Sequence, residues 1–171
     1  MIVRRAEPAT ASQQSPSFEL RFRPNVRLIA LVRSFVSDFY AGVVADPDTA
    51  SRLALATHEL LENAVKYSVD GETDLHVEVD VKDGTVCVRA RNRASSERIA
   101  ALSAAFEEID AAPDATTHYE RLVRRTATST SGSGGLGLAR IWAECDLALR
   151  LRVAGDEIEI QARGRVITDG P

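Results

Sequence analysis

Cysteine is scarce in this chain of 171 residues, and its scarcity excludes the most readable kinds of site. Cys87 and Cys145 lie far apart, without Cys-x-x-Cys spacing and without a neighbouring histidine, so neither a disulfide framework nor a zinc site is indicated. The three histidines, His58, His76 and His118, lack the i, i+4 spacing of a metal pair. No apolar run is long enough to span a bilayer, and the N-terminus has no apolar core of a secretory signal. A soluble cytoplasmic protein with no membrane partner is therefore expected. Excess positive charge is missing too. With a net charge of -4 the chain is a poor candidate for nucleic acid, which is bound through clustered Lys and Arg. The local cluster Arg121, Arg124 and Arg125 reads first as a helix face, then as a phosphate-facing patch or a docking surface.

What is present is the balance of an ordinary globular domain, 44% hydrophobic and 27% charged, in a chain long enough to bury a core. Residues 1–17 are rich in Ala, Thr, Ser and Gln and read as a flexible tail, 18–164 as one domain, and 165–171 as a second tail. Within the domain, Phe18 to Phe22 alternates like a strand, and apolar positions from Asn25 to Val44 recur at helical spacing. Asp46-Pro47 then starts a helix running to Tyr67. Asp74 to Val81 and Thr85 to Asn92 alternate on either side of a turn at 82–85, as a hairpin does. Helices are expected over 95–109, 117–127 and 136–145, and a last hairpin over 147–153 and 157–162. Together they describe an α/β two-layer sandwich, a mixed and mainly antiparallel sheet with helices on one face. Phe35, Phe39 and Tyr40 in the first long helix read as core, with a homodimer or partner surface as the second reading.

Two stretches carry chemistry. On the helix ending at Tyr67, Glu59, Asn63 and Lys66 fall on one face, opposite Leu53, Ala56, Leu60, Leu61, Ala64 and Val65. A carboxylate, an amide and an ammonium in a row can supply a base, a neutral metal ligand and a phosphate contact. The plainer alternative is a solvated face in which Glu62 and Lys66 form an i, i+4 ion pair. The second stretch, Ser129 to Leu138, holds Gly132, Gly134, Gly135 and Gly137 and runs straight into a helix. Such a loop offers free backbone N–H groups and the positive end of a helix dipole, an anion site, whereas the alternative is a Gly/Ser linker.

Glu59-x-x-x-Asn63-x-x-Lys66 resembles the N box, and Ser133-Gly134-Gly135-Leu136-Gly137-Leu138 resembles the glycine box, of the GHKL superfamily, which includes gyrase and the histidine kinases. The resemblance covers about residues 18–163 and implies the Bergerat ATP-binding fold. With no dimerisation helix carrying a phosphoacceptor histidine upstream, the chain is most similar to the anti-sigma-factor serine kinases of partner-switching systems. That likeness implies ATP and Mg²⁺ as cofactors, Asn63 as metal ligand, Glu59 as general base and Lys66 as a phosphate contact. It further implies that Gly132, Ser133, Gly134, Gly135, Leu136 and Gly137 close over the triphosphate, and that the partner is a protein presenting a Ser or Thr acceptor.

One element departs from the family. Its Asp-x-Gly-x-Gly box, whose aspartate accepts from the adenine amino group, is replaced by Arg91-Asn92-Arg93-Ala94-Ser95, and no glycine occurs between Gly84 and Gly132. Asn92 keeps an amide oxygen for that role. The departure sets a second function beside the kinase, a non-catalytic interaction module that has lost nucleotide turnover. A plain ATPase, with Glu59 activating water, is the third.

Overall fold

The computed structural model describes residues 15–23, 26–128 and 135–166. In chain order the elements are β1 (Ser17–Phe22), α1 (Val26–Val43), α2 (Pro47–Tyr67), β2 (Thr73–Asp80), β3 (Thr85–Arg93), α3 (Ser96–Asp110), α4 (Ala115–Thr128), α5 (Leu136–Cys145), β4 (Ala148–Ala154) and β5 (Glu157–Arg165). The strands form one sheet in the order β1-β2-β3-β5-β4. The architecture is the α/β sandwich expected from the pattern, with one difference. All four strand pairings are antiparallel, so the described sheet has no mixed character.

Strict alternation makes the layers. In β2, β3 and β5, Leu75, Val77, Val79, Val86, Val88, Ala90, Ile158, Ile160 and Ala162 are buried on one face, while the residues between them are more exposed on the other. Onto the buried face α2 lays Leu53, Ala56, Leu60, Leu61 and Ala64. The start of α2 follows from its first residues: Asp46 caps it, accepting from the Thr49 backbone at 2.8 Å, and Pro47 fills the first turn, where no N–H is needed. Strand β5 runs past its expected end at Ala162 to Arg165. Gly84 accounts for the extension: its φ of +58° turns the chain where an added Cβ would lie 2.9 Å from the Val166 carbonyl oxygen. The close approach lets the Val166 N–H donate to the Gly84 carbonyl at 2.9 Å.

The aromatic residues of α1 divide between the two readings. Tyr40 is fully buried and Phe39 packs against the core, whereas Phe35 remains 46% exposed beside Leu31 at 67%. Phe18 of β1 meets both Phe35 and Phe39 edge-on at 4.9 Å. The cluster Arg121, Arg124 and Arg125 is a helix face of ion pairs, with Arg121 and Arg125 reaching Glu108 and Arg124 reaching Glu120.

Between α1 and α2 the Tyr40 hydroxyl and Thr57 Oγ1 lie 2.9 Å apart in the core, and Thr57 Oγ1 donates to the Leu53 carbonyl at 2.9 Å. A phenol buried without a partner would carry its full desolvation cost. Tyr40→Phe therefore lowers unfolding free energy by about 1 kcal/mol, and adding Thr57→Val recovers part of the loss because both polar partners are then gone. Urea unfolding checks this: the midpoint falls while the slope with denaturant is unchanged.

Candidate functional site

The packing of α2 against the core fixes where its polar side points. With Leu60, Leu61 and Ala64 turned inward, Glu59 and Asn63 are left half-buried on the flank and Lys66 is exposed toward the C-terminal end. The N-terminus of α5 lies against that flank. A Cβ added to Gly137 would stand 2.6 Å from Glu59 Oε2 and 3.4 Å from Asn63 Nδ2. Only a residue without a side chain lets the helix approach so closely with the Glu59 carboxylate in this position. The two motifs, more than seventy positions apart in sequence, thus meet at Glu59 and Asn63.

At this contact α5 presents its backbone. Its N-cap is Gly135, at φ 110°, which has no side chain to satisfy the first turn. Among the described residues the first backbone bond of this end runs from the Ala139 N–H to the Gly135 carbonyl at 2.9 Å, with the N–H groups of Leu136, Gly137 and Leu138 before it. Gly135 also sits beneath α3, where an added Cβ would lie 3.6 Å from Ala105 Cβ. Gly132, Ser133 and Gly134 lie outside the described residues.

Glu59 has a counter-ion that the motifs did not reveal. Arg140, one turn further along α5, places Nη1 3.3 Å from Glu59 Oε1 and Nε 2.9 Å from Glu144 Oε2. The Glu144 hydrogen bond, followed by the charges of Glu144 and Glu59, raises the Arg140 pKa above its already high ordinary value. The Arg140–Glu144 spacing is legible as an i, i+4 pair, but the pairing with Glu59 is 81 residues long and leaves no local signal. Tyr119 of α4 completes the group. Burial and the adjacent Glu144 raise its pKa.

Lys66 does not pair with Glu62. Its Nζ lies 5.0 Å from the Tyr67 ring centre, and Glu62 instead binds His58, Nε2 to Oε1 at 2.9 Å. The other cation near Tyr67 is Arg98 of α3, whose guanidinium carbon is 3.1 Å from the ring centre. Arg98 Nε is buried without a hydrogen-bond partner among the described residues, and burial lowers the Arg98 pKa. This cation was missed because nothing in Ser95-Ser96-Glu97-Arg98 distinguishes it from an ordinary first helical turn.

Asn92 lies at the end of β3 on the helix-covered face and is 6% exposed. Its Nδ2 donates to the Arg93 carbonyl at 3.0 Å, which also accepts from the Val69 N–H just beyond α2. One of the two amide N–H groups is therefore satisfied by the chain itself, which fixes the amide and leaves its carbonyl oxygen available to another donor. Five cavities of about 250–410 Å³ among the described residues lie elsewhere. Two are between α1 and α2, two on the open face of the sheet, and one beside Gly84 and Cys145.

ATP and Mg²⁺ fit the residues at the helix contact. An uncapped helix end, approached through a glycine too tightly packed for a Cβ, faces a carboxylate and an amide, donor types suited to phosphate and a hard cation. No group of three or more His, Cys, Asp or Glu among the described residues is arranged to hold a metal unaided.

No protein-family model matches the chain, and neither does any curated protein. Among solved structures, a chain of the SiaB–SiaC complex from Pseudomonas aeruginosa has a similar fold, with a TM-score of 0.66 at 16% identity over 87% of this chain and 89% of that one. At this identity the likeness is one of fold. Among the described residues no helix is long and apolar enough to cross a membrane.

Two predictions follow from this geometry. Gly137→Ala forces the Glu59 carboxylate off its position; because the clash is with a side-chain end, the fold survives with a loss of about 1 kcal/mol or less, while the Glu59–Arg140 pair is broken. Thermal unfolding measures the first effect and a crystal structure of the variant the second. The other concerns pH. Burial holds both His58 and His118 below the ordinary imidazole pKa of about 6.5, more than the neighbouring carboxylates raise it. The unfolded chain binds these protons more readily, so their contribution to stability is complete above about pH 6.5 and is lost as pH falls through the lowered folded values. Urea unfolding between about pH 7 and pH 5 should show this fall, and His118→Gln should flatten it.

Proposed function

We propose that the chain is an ATP-binding regulatory protein serine/threonine kinase of the anti-sigma, partner-switching type, which phosphorylates and sequesters a protein partner. The observation that carries this reading is the contact of Gly137 with Glu59 and Asn63, which brings a helix N-terminus to a carboxylate and an amide. The fold shared with a chain crystallised in a complex of two proteins, SiaB and SiaC, is consistent with a protein partner.

Bound Mg-ATP would supply the transferable phosphoryl group and neutralise its charge, which is most of what this chemistry requires. The chain's own residues would do the positioning. Asn63 offers an amide oxygen to the metal, and Lys66 brings a mobile positive charge from the exposed end of α2. The N–H groups at the start of α5 would hold the phosphates. Glu59, held by Arg140 at 3.3 Å, orients the partner's Ser or Thr hydroxyl and accepts its proton. Asn92 would offer its carbonyl oxygen to the adenine amino group while its NH₂ remains on the Arg93 carbonyl.

A second reading has its own support. Asn92 stands where the family has aspartate, the glycines after it are absent, and Arg98 covers the Tyr67 ring. These features favour an interaction module without nucleotide turnover. Calorimetric titration with ATP separates the two. The kinase reading expects magnesium-dependent binding that falls at least ~100-fold, about 2.7 kcal/mol, in Asn63→Ala. It also expects Glu59→Gln to bind ATP while losing phosphoryl transfer to the partner protein. Folded wild-type protein that binds no ATP overturns it in favour of the module.

A further inference from the structure

The face of the sheet turned away from the helices is laid out in rows that strand register fixes. One row reads Glu19, His76, Arg89, Gln161, Arg150 from β1 to β4, and the next reads Ser17, Glu78, Cys87, Arg163, Ala148. A third holds Asp80, Thr85 and Arg165. On the opposite side of the first row lie Arg21, Asp74, Arg91, Glu159 and Arg152.

These rows are not equally satisfied. The last is neutralised within the chain, with Arg21–Asp74 at 3.4 Å, Arg91–Asp74 at 3.2 Å and Arg152–Glu159 at 3.6 Å. In the other three, Arg150, Arg163, Arg165, Glu19 and Asp80 make no ion pair with any described residue, and Glu78 has only His76 at 3.8 Å. The unpaired charges are also segregated. The acids lie on β1 and β2, the arginines on β5 and β4, and β3 runs between them.

We infer that this open sheet face binds a second copy of the chain, face to face, about a two-fold axis running along β3. Such an axis carries the β2 side of one copy over the β5 side of the other and leaves position along the strands unchanged. Glu78 then faces Arg163 of the other copy, Asp80 faces Arg165, and Glu19 faces Arg150, each pairing occurring twice, as a two-fold requires. A two-fold axis across the strands would instead place acid on acid and base on base, so charge selects the operator. Aligned sheet packing about 10 Å apart, with the sheets rotated by about 30°, has this geometry.

Two rows test the arrangement from within. The operation brings Arg21 over Arg152 and Asp74 over Glu159, like over like, but this is the row already neutralised in each copy. Arg89 and Arg91 lie on the axis and meet their own copies: Arg91 is already paired with Asp74 and Glu157, and Arg89, whose Nε is buried with no partner among the described residues, is one row from Glu78 of both copies. An anionic lipid surface or nucleic acid fits less well, because the acidic stripe on β2 adjoins the arginines and repels phosphate.

The test is a charge swap on the full chain, read by sedimentation equilibrium. Wild type should be a dimer that dissociates as ionic strength rises from ~0.1 M to ~1 M and the screening length falls from about 10 to about 3 Å. Arg163→Glu and Glu78→Arg should each raise the dissociation constant at least ~tenfold. Mixing the two variants should restore a dimer, since both contacts between positions 78 and 163 are then opposite in charge. All four positions on β2 and β5 are partly or fully exposed, so circular dichroism should show an intact fold; if either variant fails to fold, Asp80→Arg with Arg165→Glu gives the same test. As a second readout, a short bis-maleimide should link the two Cys87 thiols near the axis, and Cys87→Ser should abolish the link. A wild-type monomer up to its solubility limit overturns the inference. So does a dimer indifferent to both substitutions, which would place the interface elsewhere, with Leu31 and Phe35 the first surface to try.

Discussion

The site depends on one absence of matter, the missing Cβ of Gly137. With the N-terminus of α5 pressed on Glu59 and Asn63, a methyl group enters only if the Glu59 carboxylate moves aside. That contact sets the distance between α5 and α2, and so whether backbone N–H groups and the polar flank of α2 can act on one ligand. Arg140 locks the arrangement from the same helix by holding Glu59 on one side and Glu144 on the other. Both partners are partly exposed, so the pair adds little to stability. Its larger effect is to fix the direction of a carboxylate that would otherwise sample several rotamers.

The periodicities made the fold legible. Alternation over Asp74 to Val81, Thr85 to Asn92 and Glu157 to Ala162 placed three strands within a few residues, and Asp46-Pro47 placed the start of α2. These signals are local, and each is produced by the burial that forms the element. Strand direction was less legible, because an antiparallel or parallel neighbour for β1 depends on the path of α1 and α2 and not on any residue in β1. Ion pairing was less legible still. Glu62 and Lys66 have the spacing of a pair, but Glu62 takes His58 and Lys66 turns toward Tyr67. Spacing on a helix gives several neighbours, and tertiary packing decides among them.

The motifs supplied the two halves of the candidate site, and the chain brings them together at Glu59, Asn63 and Gly137. What they could not supply were the residues that lean on those halves. Arg140, Arg98 and Tyr119 belong to ordinary helical patterns, and their relation to α2 arises only from the packing of α3, α4 and α5. Non-local countercharges of this kind leave no trace in sequence spacing.

The stretch Asn92-Arg93-Ala94-Ser95, which differs from the Asp-x-Gly-x-Gly box of the GHKL proteins, has a structural counterpart at Arg98. A flexible glycine segment has nothing to hold it in place, whereas here Ser95 caps α3 at once, accepting from the Arg98 N–H at 3.2 Å. The helix so begun delivers the Arg98 guanidinium to the Tyr67 ring at the end of α2. The exchange gives up backbone freedom after β3 and gains a fixed contact between α3 and α2. An arginine stacked on an aromatic ring, with Nε buried and unpartnered, has lost hydration without gaining an anion among the described residues. A bound phosphate group would supply that missing charge, and a base seated on Tyr67 would have to displace the guanidinium. The segment therefore sets a second cation beside Lys66 at the end of α2 while covering the ring surface that lies between them.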